Sequence, residues 1–365
     1  MEFIFEMPTT IISGDECINK NSTLLKKGNK ALIVTGKSSA KKNGAYKDIT
    51  SALDKEGIKH ELFDEVEENP SLETLEKAKK MAIDIDFVIG IGGGSPLDAA
   101  KGIAIMIKHP EIDAQHLIGG PKLDAIPVIA IPTTAGTGSE VTQYAIFTDH
   151  KRGTKINYGH KVFPEIAFLD VKYMMDMPLG ITRYTALDAL SHLVESYLNT
   201  KSNIISEMYV KTGLELLSKC LEALTNADIC KDVREKLLLA STYGGIAIAQ
   251  TGTSLPHTCG YSLTYYENMP HGASNAILYR AYLKSFKKPE NQERVKQILK
   301  YLGVSSIDQL GDIIEPLLEE YKVKCSKEQL QKYVEITFAN KLKLANHPEE
   351  VDLNMIFDIY VKSIL

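Results

Sequence analysis

The pattern of apolar and polar positions changes near the middle of the chain. In the first half, short apolar runs alternate with stretches of helical periodicity. The runs predict strands over residues 31–35, 60–63, 86–91, 127–132, 145–148 and 166–169, and the periodic stretches predict helices over 46–55, 71–82 and 96–107. Strands that alternate with helices indicate βαβ units around a mostly parallel sheet.

Beyond about residue 180, the apolar positions recur almost entirely at helical spacing. The pattern predicts helices over 184–199, 205–224 and 233–249, with several more before the C-terminus. We therefore expect an α/β domain over residues 1–180 and an all-α domain over residues 181–365. A chain of 365 residues is long enough for two such domains.

Composition narrows the class of protein. The chain has 42 Lys and Arg against 47 Asp and Glu, a net charge of −5, which argues against bulk nucleic acid as a partner. It has no run of about 18 uncharged apolar residues, so we expect no membrane span. The five cysteines are scattered and odd in number, and the acidic N-terminal segment does not resemble a signal peptide. We therefore expect a reduced, cytoplasmic protein.

A glycine-rich turn follows the strand predicted over 86–91. It contains three consecutive glycines, Gly92, Gly93 and Gly94. Glycines allow a tight turn and let a ligand come close to the backbone. The sequence predicts Ser95 as the N-cap of the next helix, with Pro96 at its first position and Asp98 at the capping-box position. Amides at such a helix start suit a pyrophosphate, although the turn is not a GxGxxG fingerprint. The alternative is a junction that needs glycine for its conformation alone.

A second loop of small residues follows the strand predicted over 127–132. Its hydroxyl residues are Thr133, Thr134, Thr137 and Ser139. Small polar residues at the carboxyl end of a strand favour contact with a ligand. A flexible loop is the alternative, but two such loops after neighbouring strands indicate a nucleotide site.

Four residues of the second half suit a metal ion. Asp188 and His192 are four residues apart, which places both on one face of a helix. His257 and His271 stand fourteen residues apart, around a segment that we interpret as a turn containing glycine and tyrosine. One carboxylate and three imidazoles form a plausible site for Fe²⁺ or Zn²⁺. Taken alone, the first two residues are better explained as an ordinary helical Asp–His pair.

Four motifs resemble those of the iron-containing (group III) alcohol dehydrogenases and occur in that family's order. They are GGGSPLDAAK at 92–101, IPTTAGTGSEVT at 131–142, DALSHLVESY at 188–197, and the segment from His257 that ends in PHG at 270–272. Glycerol dehydrogenase and dehydroquinate synthase share this family's fold. The resemblance implies a Rossmann-like nucleotide-binding α/β domain followed by an all-α metal-binding domain, a dehydroquinate synthase-like architecture.

The resemblance also implies roles for individual residues. The metal ligands of the catalytic centre would be Asp188, His192, His257 and His271. The pyrophosphate would lie closest to Gly93, Gly94, Ser95 and Asp98, beside Gly92. The rest of the nucleotide would be lined by Thr133, Thr134, Thr137 and Ser139, and Lys155 would contact the ribose. Many members carry a proton-relay histidine four residues after the third metal ligand. This chain has Tyr261 at that position, and we expect it to be a catalytic residue, although the unperturbed pKa of tyrosine is near 10.

The loop after the first strand bears on the choice of cofactor. Residues 36–44 contain no acid to accept a bond from a ribose 2′-hydroxyl, but they do contain Gly36, Ser38, Ser39 and three lysines. Such a loop suits a 2′-phosphate, and it resembles that of NADP-dependent butanol dehydrogenases. We therefore expect NADP, with NAD as the alternative. A solvated turn with surface lysines would look the same in sequence.

Together these features predict a metal-dependent alcohol dehydrogenase or aldehyde reductase. Its substrate would be a small to medium primary alcohol, diol or aldehyde, because no obvious basic cluster marks a site for an anion. A glycerol dehydrogenase or dehydroquinate synthase-like enzyme, a metal-dependent hydrolase and a non-catalytic metal-binding protein are the alternatives. We also expect a homodimer or higher homo-oligomer, from the resemblance and from the apolar segment Phe3-Ile4-Phe5, which could add an edge strand to a neighbour.

Overall fold

The computed structural model describes residues 2–318 and 323–365. Met1 and residues 319–322, which fall within the two predicted domains, lie outside the described part. The chain forms two compact units. The α/β unit comprises Met7–Thr134 and Gly138–Met177, and the helical unit comprises the N-terminal residues through Glu6, together with Ala135–Thr137 and Pro178–Leu365.

The α/β unit is built on a parallel sheet. In the described chain its strands, β1 to β8, are Thr10–Ser13, Lys30–Gly36, Lys59–Val66, Phe87–Gly92, Val128–Pro132, Ile146–Asp149, Thr154–Asn157 and Ile166–Leu169. Its α-helices, α1 to α5, are Cys17–Lys20, Ser39–Lys42, Ala45–Lys55, Leu72–Met81 and Gly94–Lys108. Six strands pair in the order β1-β8-β5-β4-β2-β3, and every pairing is parallel. The predicted fold class is confirmed.

Helices bury both faces of this sheet. Alternate residues of a strand point to opposite faces, and Leu32 and Ile33 accordingly belong to different apolar clusters. Leu32 packs in the cluster that contains Ile103 of α5, whereas Ile33 packs in the cluster that contains Ile49 of α3. Because both faces are covered, the central strands are apolar throughout, which explains why short unbroken apolar runs predicted them.

Three features of the α/β unit differ from the sequence prediction. The run over 145–148 is a strand, but it pairs with β7 in a separate antiparallel hairpin. The edge strand β1 was missed, because its four residues, TIIS, give too short a signal. Helix α5 starts at Gly94 with Gly93 as its N-cap, so the predicted Ser95 cap and Asp98 capping box are wrong. Their side chains bond to other loops instead.

The helical unit consists of packed helices and a short N-terminal segment. Its described α-helices, α6 to α17, are Leu179–Tyr197, Ile204–Ser218, Leu221–Asn226, Lys231–Thr251, Leu255–Glu267, His271–Ala276, Tyr279–Lys284, Pro289–Tyr301, Ile307–Ile314, Lys327–Ala339, Lys341–Leu344 and Leu353–Ile364. The helix predicted over 205–224 is in fact two, α7 and α8, with a break at Lys219 and Cys220. His257 lies in helix α10 and not in a turn, because Pro256 sits in the first turn of the helix, where its missing N–H is tolerated, and Gly260 is buried within it.

The N-terminal segment packs on helices of its own unit. Phe5 stacks on Tyr209 of α7, with ring centroids 6.0 Å apart, and the backbone of Glu6 exchanges hydrogen bonds with Gln250 of α9. Phe3, Ile4 and Phe5 form no strand within the chain. Among the helices that the structure describes, none combines the length and apolar character needed to cross a membrane.

Candidate functional site

Helix α6 carries the first two predicted metal ligands. Asp188 and His192 are one turn apart on the same face, and both are almost completely buried. Burial lowers the pKa of His192, because a buried imidazolium loses its hydration, although Asp188 nearby acts in the opposite direction. The neutral imidazole that results is the form that binds metals.

His257 of helix α10 completes a compact group of donors. Its Nε2 lies 3.1 Å from Nε2 of His192 and 3.7 Å from a carboxylate oxygen of Asp188. One ligand atom from each of these three residues falls within 4.8 Å of the other two. One oxygen and two imidazole nitrogens at this spacing suit a divalent transition-metal ion.

The hydrogen bonds of the two imidazoles point both Nε2 atoms into the same space. Nδ1 of His192 faces the carbonyl oxygen of Gly136 at 3.2 Å, and Nδ1 of His257 faces a carboxylate oxygen of Glu195 at 2.5 Å. Both partners are acceptors, so we assign each ring hydrogen to Nδ1. The two Nε2 lone pairs then face each other at 3.1 Å, which is unfavourable unless a cation lies between them. The donor set therefore fits a bound metal.

His271, the fourth predicted ligand, adjoins this group. It opens helix α11, and its Nε2 lies 3.8 Å from the Asp188 carboxylate, with 26% of its side chain exposed. The next residue, Gly272, explains how α11 comes so close to α6. A Cβ there would lie 1.9 Å from the backbone oxygen of Tyr184, so only glycine permits this packing.

Glu195 is a site residue that sequence reasoning missed. Its fully buried carboxylate accepts the bond from His257 through one oxygen and a bond of 2.7 Å from the Ser254 N–H through the other. Burial alone would raise the pKa of this carboxyl, but His257 and the Ser254 N–H outweigh it and hold the pKa below its ordinary value. The available signal was its spacing, seven residues after Asp188 and therefore on the same helix face.

Tyr261, predicted as a catalytic residue, lies on α10 one turn after His257. Its ring stacks on that of His271, with centroids 5.7 Å apart. Its hydroxyl oxygen accepts a hydrogen bond of 2.6 Å from Nζ of Lys343. No pattern in the sequence pointed to Lys343, which lies 82 residues away along the chain.

Three loops that carry predicted nucleotide residues begin at one edge of the parallel sheet. Strand β4 pairs with β2 on one side and β5 on the other, so the loops that follow Gly36, Gly92 and Pro132 leave the sheet side by side. From β2 the chain goes on to β3, which pairs on one side of β2, and then crosses over to β4, which pairs on the other side of β2. Ligands of open parallel sheets bind at such a switch point, outside the carboxyl ends of the strands.

The glycine loop lies against the second loop. Gly92 has a φ of 151°, and a Cβ there would lie 2.6 Å from the ring of Pro96. A Cβ on Gly93 would lie 3.0 Å from Oγ1 of Thr134, while the N–H of Thr133 donates to the carbonyl of Gly92 at 2.8 Å. Gly94 then begins α5, a helix of 15 residues whose first amides are suited to an anion.

The remaining predicted residues lie in three different surroundings. Ser95 and Lys155 both bond to Asn69, since Oγ of Ser95 accepts from its N–H at 3.0 Å and Nζ of Lys155 donates to its side-chain oxygen at 2.6 Å. Ser38 and Ser39 are exposed at the start of α2. Thr137 belongs to the three residues of its loop that group with the helical unit.

A buried charged network underlies these loops. Lys101 of α5 is fully buried, and its Nζ donates to Oγ of Ser139 at 2.8 Å and to the carbonyl oxygen of Tyr144 at 2.7 Å. Ser139 donates to the carboxylate of Asp98 at 2.6 Å, which also accepts from the N–H of Ile146. Burial lowers the pKa of Lys101 to about 8, opposed by Asp98. Sequence reasoning did not single out Lys101.

Comparison with known proteins follows the same two-part division. The family model for iron-containing alcohol dehydrogenase matches residues 8–171, and that for the C-terminal part of the Fe-containing alcohol dehydrogenase family matches residues 182–364. The NADPH-dependent butanol dehydrogenase of Clostridium saccharobutylicum is 29% identical, covering 93% of this chain and 89% of that protein. Lactaldehyde reductase of Escherichia coli is 31% identical, covering 75% of this chain and 72% of that protein.

A solved structure gives the same result. The crystal structure of an iron-containing alcohol dehydrogenase from Thermotoga maritima superposes with a TM-score of 0.92 and 37% identity, covering 100% of this chain and 99% of that one. This chain belongs to the iron-containing alcohol dehydrogenase family, and it is an oxidoreductase that acts on alcohols. The family resemblance stated from the motifs is confirmed.

Proposed function

We propose that this protein is a metal-dependent alcohol dehydrogenase or aldehyde reductase that transfers a hydride between NADP(H) and a small to medium primary alcohol, diol or aldehyde. The observation that carries the proposal is the convergence of Asp188, His192 and His257 with both Nε2 atoms directed into one space. His271 is proposed as the fourth ligand, because it lies against Asp188.

The proposed metal is Fe²⁺, with Zn²⁺ as the alternative, since a site with three nitrogens and one oxygen accepts both. When bound, the metal supplies Lewis acidity that polarises a carbonyl, and the reduced nicotinamide supplies the hydride. The chain's own contribution is to hold the imidazoles in one tautomer through Gly136 and Glu195. Tyr261 is proposed to contribute a hydroxyl beside the same ligands.

The nucleotide is proposed to bind at the carboxyl edge of the parallel sheet. Gly92–Ser95 and the start of α5 are proposed to hold its pyrophosphate, and Thr133, Thr134, Thr137 and Ser139 are proposed to line the rest of the nucleotide. Lys155 is proposed to contact the ribose. Asp98 is proposed to support this site by fixing Ser139, because its carboxylate is already engaged within the protein.

NADP is favoured over NAD by the groups that follow strand β2. Of the three lysines in this loop, Lys41 pairs with Asp64 at 2.5 Å, whereas Lys37 and Lys42 are exposed and make no ion pair with any described residue. Two exposed ammonium groups beside Ser38 and Ser39 suit a 2′-phosphate. The butanol dehydrogenase relative is named as NADPH-dependent, which agrees with this proposal.

A direct assay tests the proposal. Purified protein is given NADPH or NADH with a panel of aldehydes, after loading with Fe²⁺ or Zn²⁺ or after treatment with a chelator. We expect oxidation of NADPH that requires both an aldehyde and the metal. Full turnover in the chelator-treated protein, or kcat/KM for NADH equal to or above that for NADPH, would contradict the metal or the cofactor assignment.

We further propose a homodimer or higher homo-oligomer in the reducing cytoplasm. Phe3 and Ile4 are 40% and 88% exposed, and Ile11 on edge strand β1 is also exposed. Exposed apolar side chains and an unpaired strand edge are both features that a second copy of the chain could cover. All five cysteines are unpaired, which fits a reducing compartment. A clean monomer in sedimentation at micromolar concentration would refute the oligomer.

A further inference from the structure

The hydrogen bond between Lys343 and Tyr261 fixes the direction of the phenol hydroxyl. Nζ of Lys343 lies 2.6 Å from the phenol oxygen and 4.3 Å from the ring centroid. An ammonium group donates hydrogen bonds and cannot accept one. The hydroxyl hydrogen of Tyr261 must therefore point away from Lys343, and no described residue accepts it within hydrogen-bonding distance.

The Tyr261 hydroxyl lies next to the proposed metal site. Tyr261 follows His257 by one helical turn, and its ring stacks on His271, so it borders two of the proposed metal ligands. Both Tyr261 and Lys343 are partly exposed, so the site is reachable by a small molecule. A phenol that is held by a cation, with its hydrogen left for another partner, is arranged as a proton donor.

We propose that Lys343 is a positioning residue that makes Tyr261 the proton donor for substrate oxygen; this rests on the proposed function. In aldehyde reduction, the carbonyl carbon receives a hydride from the reduced nicotinamide, and the electron pair of the C=O π bond moves to oxygen. That oxygen forms a bond to the Tyr261 hydroxyl proton. The electron pair of the broken O–H bond stays on the phenol oxygen beside Lys343, and solvent water then returns a proton.

A double-mutant cycle separates this role from simple packing. The variants are Tyr261→Phe, Lys343→Met and the double change, with Lys343→Arg as the variant that keeps the charge. Lys341→Met is the matched control, because Lys341 is exposed on the same short helix α16. General acid catalysis contributes about 10²–10⁴-fold to the rate. We expect kcat to fall about 100-fold in Tyr261→Phe and about 10-fold in Lys343→Met, with KM within a few-fold.

If Lys343 acts only through Tyr261, the double variant has the kcat of Tyr261→Phe alone, and Lys343→Arg retains most of the wild-type rate. A readout that does not need turnover is the NMR signal of ¹³Cζ-labelled tyrosine, with the Tyr261 signal identified by its loss in Tyr261→Phe. We expect that signal to shift in Lys343→Met and to stay in place in Lys341→Met. Metal affinity should be unchanged in every variant.

The results that overturn the inference differ from those that overturn the function. A wild-type protein that oxidises no NADPH with any aldehyde refutes the proposed function. If the wild type is active, either of two results refutes the role of Lys343. One is a wild-type kcat in Lys343→Met, and the other is a double variant in which the losses from the two single changes multiply. An unshifted Tyr261 signal in Lys343→Met refutes the hydrogen bond itself, and this measurement remains decisive even where a variant is too unstable for kinetics.

Discussion

Replacing Glu195 with glutamine keeps the size of the side chain but removes its charge at the proposed metal centre. The two shortest bonds of the carboxylate both come from donors, the Ser254 N–H at 2.7 Å and Nδ1 of His257 at 2.5 Å. Glutamine has only one oxygen. If that oxygen stays with the backbone N–H, the new NH₂ group faces Nδ1 of His257, and two donors meet.

The imidazole can escape this clash by moving its hydrogen from Nδ1 to Nε2. That nitrogen lies 3.1 Å from Nε2 of His192, where the metal is proposed to bind, so the hydrogen would occupy the position of the metal bond. Loss of a carboxylate that orients a ligating histidine costs about 10–100-fold in metal affinity. This corresponds to about 1.4–2.8 kcal/mol at 1.4 kcal/mol per factor of ten. We expect the upper half of this range, because Glu195 and His257 are almost completely buried, so water does not readily replace the lost acceptor.

The assay is competition between the protein and a chelator for Zn²⁺ at neutral pH. Glu207→Gln serves as the control, because Glu207 is in the same unit but pairs with Arg294 on a partly exposed surface. The reasoning predicts that only Glu195→Gln loses affinity, and that Glu195→Asp recovers little because its shorter side chain cannot reach both donors. Wild-type Zn²⁺ affinity in Glu195→Gln would show that the tautomer of His257 is not set by Glu195.

Three further changes test other parts of the site. His271→Ala should abolish turnover while leaving NADPH affinity within a few-fold, measured by NADPH fluorescence; full activity would remove His271 from the ligand set. Gly36→Asp should shift kcat/KM toward NADH by restoring a carboxylate that repels a 2′-phosphate; its Cβ would make one tight contact, at 3.3 Å with the carbonyl oxygen of Val66, which requires a small shift of that backbone. Gly272→Ala should lower stability by at least about 1–3 kcal/mol in urea unfolding, because its Cβ would collide with the backbone of Tyr184; an unchanged midpoint would mean that α11 moves freely.

The sequence was most informative where local chemistry decides the structure. Strands buried on both faces appear as short apolar runs, so the strand predicted over 31–35 corresponds to β2, Lys30–Gly36. Helical spacing placed Asp188 and His192 on one face, and the structure has both buried on α6. The family followed from motifs that combine such local signals in a fixed order.

The contacts that could not be predicted join residues far apart in the chain. The bond from Lys343 to Tyr261 spans 82 positions, and that from Glu195 to His257 spans 62. The prediction that Ser95 caps helix α5 was wrong for the same reason. Its hydroxyl has a tertiary partner in the Asn69 N–H, 26 residues away, which outweighs the local preference of serine for a helix start.

Lys101 provides the sharpest test of whether such a tertiary network supports the nucleotide loops. Removing one member of a buried ion pair leaves the other charge without compensation, which costs about 3–5 kcal/mol. In Lys101→Met, the largely buried Asp98 and the hydroxyl of Ser139 both lose this ammonium group. We expect the urea midpoint at pH 7 to fall accordingly, and NADPH affinity to fall more than Zn²⁺ affinity, because Ser139 belongs to the proposed nucleotide site.

A second substitution tests the role of the charge. Adding Asp98→Asn removes the carboxylate charge that Lys101→Met leaves unpaired, but it keeps an acceptor for the Ile146 N–H. The double variant should therefore lose less stability than the sum of the two single losses. Strictly additive losses, or a Lys101→Met variant within about 1 kcal/mol of wild type, would show that this lysine fills space and does not organise the loops.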